Sequence, residues 1–276
     1  MYKRIANQFE GFMSTPSILK NSNFAGFTIF KSLDKVSSTS SKELLEKDYP
    51  ENLVLGKRVE FFFLSAINAS QELQIIAHNI QINDENRTLG ELDFIVRDLQ
   101  TSEILHIELM YKFYVYDPEI PNEMERWIGP NRKDSLLQKI NKVKKNQFPI
   151  LHTPQAENHI KDIGIDSKGI LQQICFKAAL FIPEKLNTYN FPNINEECII
   201  GFWLHLKDFS KYNQKDFQFF APEKQDWPMD PEYGEKWFSF EDISEQIQKL
   251  HLRNKSPLIW IKKPDGTFER LIAVWW

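Results

Sequence analysis

Leu89-Gly90-Glu91-Leu92-Asp93-Phe94-Ile95-Val96-Arg97 is followed, after a short polar loop, by Ile104-Leu105-His106-Ile107-Glu108-Leu109-Met110-Tyr111-Lys112-Phe113-Tyr114-Val115-Tyr116. Both stretches alternate with the period of two that marks a strand, because successive side chains of a strand point to opposite faces. In the first, Leu92, Phe94 and Val96 make a core face, and Glu91, Asp93 and Arg97 share the other with Ile95. In the second, Leu105, Ile107, Leu109, Tyr111, Phe113 and Val115 make an almost unbroken apolar face. His106, Glu108, Met110 and Lys112 lie on the opposite one.

The loop length sets the register. With Leu99 to Ser102 as a four-residue hairpin connection, Asp93 falls directly across from Glu108. Opposed side chains on one face have Cβ atoms about 5 Å apart, and like charges there repel. At that distance and an effective dielectric near 20 the repulsion is about 3 kcal/mol, enough to move a pKa by about two units unless positive charge intervenes. Lys112 and Arg97 offer part of that charge; a divalent cation offers all of it. The bland alternative is a solvated lattice in which Lys112 pairs with Glu91.

Bulk properties narrow the class. The 276 residues suit one large domain or two small ones, and 42% hydrophobic residues with 13% aromatics supply an ample core. A formal charge of -4 gives no global attraction to nucleic acid, so such binding needs a local patch. The first residues lack the apolar stretch of a secretory signal, and no run approaches the roughly 18 residues of a membrane span. Cys175 and Cys198 sit in apolar segments and read as buried thiols. A soluble, cytoplasmic protein is expected.

Around the hairpin the chain reads as α/β. Residues 1–50, rich in Ser, Asn and Lys, read as an N-terminal embellishment with a loop at Ser37–Ser41. Leu55, Val59, Phe62, Phe63, Ala66 and Ile67 form a helical stripe, with Glu60 on its edge. Leu73 to Ile82 reads as a strand whose phase switches near Ile75-Ile76. A capping pattern at Ser135 to Gln138 opens a helix with Leu136, Leu137, Ile140 and Val143 buried. From Asn131 to Phe148 six basic residues face a single acid, Asp134. Lys139, Lys142, Lys144 and Lys145 on this helix are candidate contacts for a phosphate backbone, against the plain reading of a solvated face. Further strands are expected at Leu171–Pro183 and Cys198–Leu206, a helix at Glu241–Leu252, and a hairpin around Pro264-Asp265-Gly266. Trp203, Trp260, Trp275 and Trp276 fall in apolar strands and are expected to pack in the core.

The order carboxylate, hairpin, carboxylate, lysine resembles the PD-(D/E)XK nuclease superfamily. Gly90-Glu91-Leu92-Asp93-Phe94, His106-Ile107-Glu108-Leu109, Lys112-Phe113-Tyr114 and Trp127-Ile128-Gly129-Pro130-Asn131 are similar to one bacterial branch of it, the domain-of-unknown-function family eighteen-fifty-three. The likeness is densest over residues 50–150. It implies a restriction-endonuclease-like core at 51–182, a mixed sheet flanked by helices, extended by strands and a helix at 183–276 within a single domain. It also implies that Asp93, Glu108 and Glu60 hold Mg²⁺ or Mn²⁺, that Asp93, Glu108 and Lys112 carry catalysis, and that Glu91, His106 and Gln147 assist. One departure is built in. The superfamily lysine follows the glutamate by two positions, which here is Met110. Lys112 stands four on, about 13 Å along the strand instead of about 7 Å, as it does in that branch. The expected activity is metal-dependent hydrolysis of a nucleic-acid phosphodiester; the rival is a binding module that keeps the scaffold without the chemistry.

Overall fold

The computed structural model describes residues 2–20, 26–35, 53–85, 87–186 and 190–276; the loop expected at Ser37–Ser41 lies outside them. Among the described residues, ten strands hydrogen-bond into a mixed sheet with helices packed on it. Residues group into two compact units. One comprises Met1–Ile18, Lys112–Leu137 and Ala178–Trp276, the other Leu19–Tyr111 and Gln138–Lys177.

The second of these units contains the carboxylate hairpin. Helix α2 (Leu55–Ala69) buries the predicted stripe of Val59, Phe62, Phe63, Ala66 and Ile67, and Phe63 packs on Phe94 with ring centroids 4.5 Å apart. Strand β2 (Leu73–Asp84) pairs antiparallel with β3 (Arg87–Asp98), and the register slips between Ile75 and Ala77. That bulge is where the sequence pattern changes phase. Strand β3 pairs with β4 (Ile104–Tyr116) through Arg97↔Ile104, Val96↔Leu105, Ile95↔His106 and Phe94↔Ile107, the register that the loop length predicts. Strand β1 (Thr28–Ile29) lies parallel to the start of β6 (Ile170–Pro183).

Helix α3 (Leu136–Lys142) widens into a π-turn at Val143–Gln147 and closes with Phe148–Ile150. Helix α4 (Pro154–Asp162) follows, started by Pro154 at its first position and by Thr153, whose hydroxyl accepts from the Ala156 N–H. Ile150, Leu151, Ala156 and Ile160 pack against Ile80, Ile82, Leu92 and Ile95. At about 1.5–3 kcal/mol for each large side chain fully buried, this contact fixes the helices on the hairpin. Gly90 makes the approach possible, since a Cβ there would overlap the Ile150 Cδ1 methyl.

The other unit continues from the far ends of β4 and β6. The end of β4 pairs with β5 (Trp127–Ile128). The end of β6 lies parallel to β7 (Ile199–His205), which lies parallel to β10 (Phe268–Val274); β9 (Leu258–Lys262) is antiparallel to β10 and to β8 (Gln218–Phe220). Helix α5 (Phe240–His251), capped by the Ser239 hydroxyl, presses Ile243 and Ile247 onto Ile259, Ile261, Leu271 and Ala273. Both cysteines are buried free thiols. Trp203 and Trp260 are core residues, but Trp275 is 36% exposed. The ladder stops at Val274, so nothing in the sheet holds the Trp275 ring. Among the described residues no helix is long and apolar enough to cross a membrane.

Candidate functional site

Where β3 and β4 stop pairing, Asp93 takes over. Its Oδ2 accepts the backbone N–H of Leu109 at 2.9 Å, one step beyond the last ladder pair, Phe94↔Ile107. A side-chain carboxylate thus replaces a strand carbonyl at the point where the two chains separate. The Asp93 and Glu108 carboxyls lie close enough for each to shift the other's proton affinity. Glu108 is fully buried. Burial first, and the neighbouring Glu108 second, push Asp93 up to about 8. Burial pushes Glu108 up to about 7, with hydrogen bonding from Asp93 and the charge of Lys142 pulling it back.

Each Glu108 oxygen has a further partner. Oε1 lies 3.0 Å from His106 Nε2, and Oε2 accepts from the Gln147 side-chain amide. His106 is itself fully buried, and desolvation lowers it to about 4, so the ring is neutral. Gln172, on β6, places its amide nitrogen 3.0 Å from His106 Nδ1 and 2.8 Å from the Phe148 carbonyl. An amide donating to Nδ1 fixes the tautomer that carries its proton on Nε2, aimed at Glu108. The result is a chain of contacts, Gln172 to His106 to Glu108 to Asp93, closed on one side by Gln147.

Glu60 and Glu91 lie near enough for their charges to raise Asp93 further, but they do not join its hydrogen bonds. The Glu60 carboxylate pairs with Lys57 at 2.6 Å and accepts from the Asn79 amide at 3.3 Å. Asn79 sits between the His78↔Phe94 and Ile80↔Leu92 pairs, level with Asp93, and has φ +52°. That left-handed conformation costs most residues roughly 1–2 kcal/mol and Asn less. The kink turns its amide toward Glu60. Among the described residues no group of three or more His, Cys, Asp or Glu is gathered to hold a metal ion.

Lys112 belongs to the other unit, its Nζ 3.2 Å from Asp134 Oδ2; the alternative pairing with Glu91 is not among the ion pairs of the described residues. On α3, Lys142, Lys144 and Lys145 are exposed and Lys139 is half-buried. Sequence reading did not find Gln172, Asn79 or the Leu109 N–H. Gln172 alone left a trace, a polar pair, Gln172-Gln173, near the start of a mostly apolar strand.

The donor set is two hard carboxylate oxygen groups in a site short of positive charge. Mg²⁺ is commonly held by one or two carboxylates, with water and phosphate oxygens completing the shell, so Asp93 and Glu108 fit that ion without a third protein carboxylate. No curated protein and no solved structure matches the chain. Residues 8–270 match one family, Domain of unknown function (DUF1853), and the chain belongs to that family.

Proposed function

We propose that this protein is a Mg²⁺- or Mn²⁺-dependent nuclease of PD-(D/E)XK type, with Asp93 and Glu108 as its metal ligands. The observation that carries the reading is the buried pair itself. Both carboxyls are buried and displaced toward neutrality, and among the described residues neither forms an ion pair with a lysine or arginine. The element order through this region is α2, β2, β3, β4, β5, α3, α4, β6; with the short β5 and α4 as insertions it matches the helix, three strands, helix, strand expected of the superfamily core and supports the same reading.

Bound there, the ion would supply a water of lowered pKa and neutralise charge on the scissile phosphodiester. The chain's own groups prepare for it. Asp93 and Glu108 would give up the proton that burial makes them hold. The Leu109 N–H holds Asp93 in place, and the Nε2 proton of His106 with the Gln147 amide holds Glu108. Supporting bonds of this kind orient a metal ligand and raise its basicity. Glu91 and Glu60 add negative charge that favours a divalent ion over a second proton. Lys139, Lys142, Lys144 and Lys145 would draw the nucleic-acid backbone to the site. A second reading, a binding module without turnover, draws on Lys112, whose amine is spent on Asp134.

The test is cleavage of end-labelled single- and double-stranded DNA and RNA, with and without Mn²⁺. Metal-dependent cutting by wild type, lost by a factor of about 1,000 or more in Glu108→Gln and Asp93→Asn, is the expected result. A wild-type protein that binds Mn²⁺ and cuts none of the four substrates decides for the module.

A further inference from the structure

Three lysines invite comparison, and two are already paired. Lys57 forms an ion pair with Glu60 at 2.6 Å, and Lys112 forms one with Asp134 at 3.2 Å. The third, Lys142, is exposed and makes no ion pair among the described residues. Its backbone explains where its side chain goes. Helix α3 is regular up to Lys142 and then bonds the Phe148 N–H back to the Val143 carbonyl, five residues away instead of four. Such a turn holds one extra residue, so positions five apart return to the same side of the helix, which in a regular α-helix they do not. Lys142 and Gln147 are five apart. Gln147 reaches Glu108 directly, so the side of the helix that carries Lys142 is the side that faces the carboxylates.

We infer that Lys142, and not Lys112, is the catalytic lysine of this site, its ammonium binding the scissile phosphate and stabilising the negative charge that grows on it. The inference rests on the nuclease reading above. It resolves the oddity of the sequence, where the strand position two after Glu108 is Met110. The helix delivers the cation that the strand does not. It also gives the π-turn a purpose, since widened turns of this kind recur at functional sites.

The experiment is single-turnover cleavage with Mn²⁺ at saturating nucleic acid, comparing wild type with Lys142→Met, Lys142→Arg, Lys112→Met and the surface control Lys168→Met. The expected result is a fall of about 100-fold or more in the rate constant for Lys142→Met, with substrate affinity reduced only a few-fold. Lys142→Arg should recover part of the rate, and Lys168→Met should match wild type. Lys142 is exposed, so these variants should fold. If Lys142→Met cuts at the wild-type rate while Lys112→Met does not, the assignment is wrong and the nuclease reading stands. A fall in affinity alone, with the saturated rate intact, also overturns it, leaving Lys142 a backbone contact. Wild-type protein that cuts nothing removes the nuclease reading and this assignment together.

Discussion

Two buried carboxylate sites in this molecule are built in opposite ways. In one unit Asp226, 5% exposed, is held by Arg4 through both oxygens, at 2.7 Å from Nε and 2.6 Å from Nη2, and accepts from Gln8 at 2.6 Å. Hydrogen bonding to Asp226 makes the Arg4 guanidinium still harder to deprotonate. In the other unit Asp93 and Glu108 lie together beside a neutral histidine and two amides, and among the described residues no lysine or arginine pairs with either. The first site is a finished structural ion pair. The second spends stability on a charge arrangement that folding alone does not need, which is how sites built for a ligand or a reaction stand out from the rest of a fold.

The contrast is sharpest under substitution. Arg4→Met should destabilise the protein by about 2 kcal/mol in urea unfolding, because it strands a buried carboxylate. The full cost of breaking a buried pair is not reached, since Arg4 is half-exposed. Glu108→Gln should leave metal-free stability unchanged or raise it, because it removes repulsion and keeps side-chain size. If Glu108→Gln destabilises the metal-free protein as much as Arg4→Met, the two sites are the same kind of thing and the comparison fails.

The pH dependence should differ in the same sense. Asp93 and Glu108 bind protons more tightly folded, at about 8 and about 7, than unfolded. Their contribution is therefore complete at low pH and is lost as pH rises through those values. His106 is lowered to about 4 and works the other way between there and its ordinary value near 6.5. Metal-free stability should thus fall between about pH 6.5 and pH 8, where His106 no longer opposes the loss, and level off above that. Urea midpoints at those two pH values read this directly. Glu108→Gln should flatten the difference, and a wild-type stability that rises over the interval would contradict the assigned shifts.

A smaller effect belongs to Gln172. Replacing it with Ala removes the donor to His106 Nδ1 and should cost about 1 kcal/mol. It should also release the imidazole to exchange tautomers, visible in ¹⁵N spectra of the ring. A ring that keeps its proton on Nε2 without Gln172 would show that Glu108 alone sets the tautomer.

The parts of this arrangement that the sequence made legible are the local ones. Alternation placed β3 and β4, and the hairpin loop set their register, because both depend on residues within a few positions of one another. The stripe on α2 and the phase switch at Ile75-Ile76 have the same origin. The register put Asp93 across from Glu108, but it did not show that their strands separate there, or that Asp93 would bind the Leu109 N–H. Gln172 meets His106 across 66 positions, a distance over which no periodicity speaks. The π-turn carries no composition signal in Val143-Lys144-Lys145-Asn146-Gln147. The Lys112–Asp134 pair depends on how the loop after β5 folds back, with Asp134 beside Gly129, and strand spacing alone pointed elsewhere.

Asp93 and Glu108 are proposed to form an ion site that protonation neutralises when no cation is bound. Titration calorimetry with Mn²⁺ at pH 7, run in two buffers of different ionisation enthalpy, tests it most directly. One ion bound per chain with release of about one proton is expected, with loss of both in the Asp93→Asn, Glu108→Gln double variant. Binding that releases no proton, or that survives the double variant, would contradict it.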